Sequence, residues 1–448
     1  MKRFLVTSIC TVGAILMCAC TTPAAEAESE NASFEEKTTE DKNTGETSEV
    51  KVEGASESVV SSYAEEYITD TDEIKWEYNS STKSLVLSGK GPMREYTTEE
   101  PEWMSYCDEA ERIVIGDEIT TVGGGAFMWF SRVNEVVLGE AVEYVGISAF
   151  ADCYELRTVN FPNSLKVIDD GAFVNVLLHS ENGFIFPEGL KYIGEEAFYS
   201  AFKESTVSIP ASVEYIAEDA LNNCFVEGFI VDENNAAYAS VDGVLYTKDM
   251  KVLLNYPAEK QDTVYEIPAT VERLTEESIQ VTNTLEKIII PASVNDIPEA
   301  SIYWNYGLKS IEVATDNSAY ISNNGVLYTK DGKTLLAYPN SSEANEYTVC
   351  EGTERIGKFA MSSAANLTCV HVPEGVVTIG DSAFYNSNFI EEMGLPTTLE
   401  SIDNSAFTWC DALTRINYAS SSDDWDGISV GENNELLSNG QVTVYPAK

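Results

Sequence analysis

The sequence predicts a mainly β solenoid with short helical turns: about ten stacked repeats of about 23 residues, two β-hairpin insertions, and a β cap at each end. Three observations predict it. A Phe position recurs through Phe127, Phe150, Phe173, Phe198, Leu221, Ile279, Ile302, Met361, Phe384 and Phe407, mostly in steps of 23. The residue before it is always Ala or Ser, and a residue that ends strands recurs at a second fixed slot, as Pro162, Pro187, Pro210, Pro268, Pro291, Pro373 and Pro396. Two long steps, 58 and 59 residues, equal one period plus about 35 residues of added chain. A fixed period of this length marks an array in which each unit is too small to bury its own apolar face, so that neighbours bury it.

Each element of the repeat has a physical reason. In the clearest copy, Ala149-Phe150-x-x-Cys153-x-x-Leu156-x-x-Val159-x-Phe161-Pro162-x-x-Leu165-x-x-Ile168, apolar residues three apart suit tight turns, and the Val159-x-Phe161 step of two suits a short strand. Proline cannot donate to a ladder, so Pro162 ends that strand. The Ala-Phe pair is expected to open a helical turn on the opposite wall. Between the two inward residues of each strand stands one that faces outward: Val114, Val137, Asn160, Ile185, Ser208, Glu266, Ile289, Thr348, His371 and Gly394.

The array is expected over 110–412, with insertions at about 228–262 and 310–345. The insertions copy one another at an offset of 82, Gly243-Val244-Leu245-Tyr246-Thr247-Lys248-Asp249 recurring as Gly325-Val326-Leu327-Tyr328-Thr329-Lys330-Asp331. Turn residues between apolar runs make each a hairpin, expected to broaden or interrupt the sheet. Their tyrosines fit hairpin packing or a contact surface. Trp76, Tyr78, Leu85 and Leu87 alternate within a predicted cap over 73–109, and Ile416, Tyr418, Trp425 and Ile428 mark a second over 413–448.

The N-terminal region carries no repeat. Residues 1–19 join Lys2 and Arg3 to an apolar run, which reads as a secretory signal too short to span a bilayer. Residues 20–72 are rich in Glu, Ser, Thr and Ala, and read as an acidic disordered tether.

These repeats resemble the BspA-like family of bacterial leucine-rich-repeat surface proteins, whose unit is similar to I-G-x-x-A-F-x-x-C-x-x-L-x-x-V-x-L-P-x-x-L. The resemblance implies a leucine-rich-repeat fold displayed on a cell surface and associated with adhesion to host matrix proteins or to other bacteria. Met17-Cys18-Ala19-Cys20 resembles a bacterial lipobox, which implies a lipid anchor on Cys20 at the outer face of the cell membrane.

Composition and motifs narrow the chemistry. With 74 acidic against 27 basic residues the chain stands at −47, so nucleic acid and anionic membranes are repelled; contact with membrane is expected only through the lipid anchor. The two histidines, His179 and His371, sit in no catalytic or zinc-binding spacing, so neither enzyme activity, a metal nor a cofactor is expected. Asp232-Glu233-Asn234-Asn235 and Asp70-Thr71-Asp72-Glu73 read as solvated turns rather than calcium loops. Cys153, Cys224 and Cys410 share the slot three after Phe, where a small buried apolar side chain is expected and a disulfide is not. The expected partner is a protein ligand, with a carbohydrate or cell wall, held by aromatic residues of hairpins and caps, as the alternative. Val114, Val137, Ile185, Ile289 and His371 are the candidate contact residues.

Overall fold

The structure is a computed structural model that describes residues 67, 73–418, 422–438 and 442–446. The chain divides into a unit of Met1–Lys51 and a unit of Val52–Lys448, and all described residues belong to the second. The signal peptide, Cys20 and nearly all of the tether therefore lie outside the described residues, as does most of the Asp70–Glu73 turn.

Each coil runs through a front strand, a turn, a back strand of two to four residues and a turn segment that returns to the front. In the front ladder Leu85, Ile113, Val136 and Val159 stack in parallel register. In the back ladder Val122, Val145, Ile168, Ile193 and Ile216 do the same. The Pro or Gly slot closes the turn between them, with Leu165 N–H donating to Pro162 C=O and Val142 N–H to Gly139 C=O, each at 3.1 Å. Among the described residues the stack makes about 13 turns.

The Ala-Phe segment forms a third wall, and it is not a helix. Residues on either side of it have positive φ, for example Ser148 at 52° and Asp152 at 59° around Phe150, a sign that ends a right-handed helix. The backbone instead bonds between coils: Phe127 N–H donates to Ala149 C=O at 2.8 Å, and Phe150 to Ala172 and Phe173 to Ala197 at the same distance. A four-residue α-helix stands at Ser422–Trp425, after the last repeat.

This third ladder fixes the core. Phe127, Phe150, Phe173 and Phe198 are fully buried and stack at ring spacings of 5.2, 5.2 and 5.3 Å, close to the roughly 4.8 Å spacing of neighbouring strands. Their small predecessors, Ala126, Ala149, Ala172 and Ala197, are equally buried.

The two insertions continue the solenoid rather than interrupting it. Phe225–Val231 joins the front ladder in parallel with Lys203–Ile209, and Ser310–Val313 joins it beside Lys287–Ile290. The antiparallel strands Tyr238–Val241 and Val244–Thr247 then lead into Val252–Asn255, which pairs in parallel with Arg273–Leu274 of the back wall. The second copy repeats this through Tyr320–Asn323, Val326–Thr329 and Thr334–Ala337. Tyr256 and Tyr338 occupy the Phe slot, donating from N–H to Ser278 and Ala360 C=O at 2.7 Å each. Each long step is thus one enlarged coil followed by one ordinary coil.

Buried polar groups anchor these enlarged coils. Asn235 does not sit in a solvated turn: it is 1% exposed, and its amide donates to Pro210 and Val213 C=O at 2.8 and 3.0 Å. Its Oδ1 accepts from Ala237 and Tyr238 N–H, and Asn317 makes the equivalent four bonds. The hairpin tyrosines are also consumed internally. Tyr246 and Tyr265 share a hydroxyl hydrogen bond at 2.7 Å, and Tyr238 and Tyr320 hydroxyls accept from Ile216 and Ile297 N–H at 2.6 Å.

The slot three after Phe is a donor slot, not merely an apolar one. Cys153, Cys224 and Cys410 donate their thiols to the carbonyls of Phe127, Phe198 and Phe384 in the preceding coil, at 3.3, 3.0 and 3.1 Å. Ser387 and Asn305 make the same bond to Met361 and Ile279. All six described cysteines are free, and burial pushes the Cys224 thiol up to about 11.

Among the described residues the front ladder breaks three times. Thr158–Asn160 and Phe184–Ile185 belong to separate sheets, as do Phe225–Val231 and Val264–Glu266, and then Ser310–Val313 and Glu346–Thr348. At the first break the repeat is 25 residues long instead of 23, and the two added residues displace the strand from pairing register.

Candidate binding surface

The strand alternation leaves one row of side chains on the outer face of the front ladder. At the N-terminal end, Val86, Val114 and Val137 stand in direct register, followed by Asn160. Val86 belongs to Ser84–Ser88, which the sequence assigned to the cap, yet it is the same middle residue of an inward pair. The cap strand Lys75–Asn79 lies antiparallel beside it. Asn160 turns back onto its own wall, where its amide bonds the backbone of Leu138 in both directions.

Ile185 does not extend this row, because the first ladder break lies between them. It stands in register with Ser208 and Ile230 instead. Ile185 is 67% exposed and Ile230 is 54% exposed. Ile230 escaped the sequence reading because its strand was counted as part of an insertion. Ile289 is isolated from both groups, flanked in register by Glu266 and Glu312. The candidate residues therefore form two apolar spots and one single site, not one patch.

His371 lies far along the same face, in register with Thr348 and Gly394. Its Nε2 is 2.9 Å from Glu346 Oε1 and 3.5 Å from Cys369 Sγ. Glu346 comes from the neighbouring strand, and Cys369 precedes His371 by two on the same strand, so all three project outward. The Cys369 thiol is held above its ordinary range by partial burial, then by Glu392 and Glu346. No helical or loop motif marks this group in the sequence, because its signal is an i, i+2 pair on a strand joined to a residue one coil away. His179, the other histidine, turns its Nδ1 to Lys203 C=O at 3.1 Å near the first ladder break.

The exposed aromatic residues lie on the turn wall rather than on the hairpins. Tyr303, Phe359, Trp304, Tyr385 and Trp409 form a connected run with ring spacings of 4.7 to 5.8 Å, ending at Trp409, which is 41% exposed. The hairpin tyrosines Tyr246 and Tyr328 are 1% exposed, so they offer no contact surface.

These features define a class: a parallel β-solenoid whose repeats are fastened by three backbone ladders and whose outer strand face carries the variable side chains. The model of the BspA-type leucine-rich-repeat region matches residues 100–227, 261–330 and 336–427, in six copies. The chain belongs to that family. In structure it is similar to a leucine-rich repeat protein from Eubacterium ventriosum, with a TM-score of 0.55 at 23% identity, covering 85% of this chain and 95% of the other. It is also similar to a leucine-rich cell surface protein from Faecalibacterium prausnitzii, with a TM-score of 0.46 at 19% identity, covering 81% of this chain and 97% of the other. No curated protein matches the chain. Among the described residues no helix is long and apolar enough to cross a membrane.

Proposed function

We propose that this chain is a surface-displayed, non-enzymatic binding protein that contacts other proteins, in adhesion to host matrix or to other cells, through the outer face of its front ladder. The observation that carries this reading is the exposure of Ile185 and Ile230, with Val86, Val114 and Val137 beyond the first ladder break, on a face whose other rows bear Glu266 and Glu312. Apolar side chains held on a rigid sheet within a strongly acidic chain suit a protein partner. The His371 group does not supply a nucleophile relay. Glu346 and Cys369 meet the same imidazole nitrogen, whereas a base that activates a thiol needs its carboxylate on the other one.

Display follows from the N-terminal sequence: we infer a diacylglyceryl anchor on Cys20, so that Cys20→Ala releases the protein from the membrane fraction into the medium. Retention of that variant in the membrane fraction refutes the anchor.

The second reading, a carbohydrate or cell-wall binding module, is favoured by the aromatic run that ends at Trp409. One screen separates the two. The full chain is tested against immobilised matrix proteins and a glycan array, beside an Ile185→Glu, Ile230→Glu variant and a Val114→Glu, Val137→Glu variant of checked thermal stability. Protein binding lost in the variants with stability intact supports the proposed face. Protein binding unchanged in both overturns that face, and glycan binding alone overturns the protein-binding reading.

A further inference from the structure

We propose that Glu346, Cys369 and His371 form a Zn²⁺ site on the outer face of the front ladder, independent of any adhesive role. The three donor atoms, a carboxylate oxygen, a thiol sulfur and an imidazole nitrogen, all lie within 4.8 Å of one another. Zinc takes this mixture of donors in tetrahedral geometry, with Zn–S near 2.3 Å and Zn–N near 2.0 to 2.1 Å, which sets the S to N edge of the tetrahedron at about 3.6 Å. The observed Sγ to Nε2 distance is 3.5 Å. The Nε2 to Oε1 distance of 2.9 Å needs to open by only about 0.4 Å to match the N to O edge.

The backbone makes this arrangement rigid. Cys369 and His371 are two apart on one strand, so their side chains rise side by side from the same face, and Glu346 pairs in register with Cys369 from the adjacent strand. On the other side, the residue in register with His371 is Gly394. A Cβ there would stand 3.2 Å from His371 Nδ1, so the absent side chain leaves room for the imidazole to lie over the neighbouring strand. Glu392, in register with Cys369, is engaged by Arg415 and Asn417 and adds negative potential without being a ligand. Acidic groups beside a thiol repel its anion when no cation is near and stabilise a bound cation, so the local field favours a dipositive ion. His371 and Glu346 are partly exposed, and the fourth position opens to solvent, where water completes the tetrahedron.

The probe is the metal alone. The full chain, reduced and stripped of metal, is titrated with Co²⁺ and then with Zn²⁺ in competition. Expected are a near-ultraviolet thiolate-to-cobalt charge-transfer band that saturates at one equivalent and its displacement by Zn²⁺. Cys369→Ser abolishes the band, and His371→Ala and Glu346→Gln each weaken affinity by at least about tenfold. Cys350→Ser and Cys107→Ser leave it unchanged. The absence of a charge-transfer band, a band that survives in Cys369→Ser, or undiminished affinity in Glu346→Gln overturns the site. Glu346→Gln keeps the shape of an exposed side chain, so the decision holds even where another variant fails to fold.

Discussion

Replacing Phe150 by Leu tests whether the aromatic column itself stabilises the solenoid, separately from the apolar volume it fills. Phe150 is fully buried and stacks on Phe127 and on Phe173, each at a ring spacing of 5.2 Å and within 11° of parallel. Leucine keeps the slot apolar but removes both stacked pairs, each contributing about 0.5 to 1.5 kcal/mol beyond area burial. The expected loss is therefore about 1 to 3 kcal/mol from stacking. Phe384 supplies the internal control. It is equally buried but stacks on Phe407 alone, because Met361 fills the preceding slot. Phe384→Leu should lose about half as much. The assay is urea unfolding of both variants, with hydrogen exchange to locate the weakened coils, since stability in a stacked array resides in neighbouring units. Loss of protection should centre on Phe127–Phe173 in the first variant. Equal losses for the two variants would refute the stacking argument and leave volume as the whole effect.

Two further outcomes follow from buried polar groups. Asn235→Ala removes four hydrogen bonds at the root of the first hairpin, with Pro210 C=O keeping the 3.4 Å bond from Val213 N–H, and should destabilise by about 2 to 4 kcal/mol in urea unfolding, while Asn234→Ala at the exposed neighbour should change little; similar midpoints for the two would show that the clamp contributes nothing. Burial pushes the carboxyls of Glu95, Asp170 and Glu277 up to about 7. A carboxyl with a raised folded pKa holds its proton to higher pH in the native than in the unfolded state, so the stability it supports is fully present below the unfolded value, near 4.5 for Glu, and is lost as pH rises to about 7. Thermal midpoints should therefore be higher at about pH 5 than at about pH 8, with a smaller difference in Glu277→Gln, and a midpoint that rises toward pH 8 would contradict this.

The period, the inward residues and the ends of the front strands were legible in the sequence because each is a local demand repeated in every coil. A small residue must precede Phe150 since the turn wall packs tightly there, and Pro162 can stand only where no ladder bond is donated. Relations between coils were not legible. The sequence presented Cys153 as a small apolar residue, and only the stacked backbone aims the Phe127 carbonyl at its sulfur. Tyr256 and Tyr338 concealed two coils because a tyrosine in the Phe slot, approached by a longer path, breaks the spacing while preserving the hydrogen bond. Two added residues before Ile185 divided a surface that sequence alone treated as continuous. Glu346 stands 25 residues from His371, and no local pattern joins them. Their meeting is decided by the parallel register of two strands, which belongs to interchain-like backbone pairing across the stack and not to either segment's own composition.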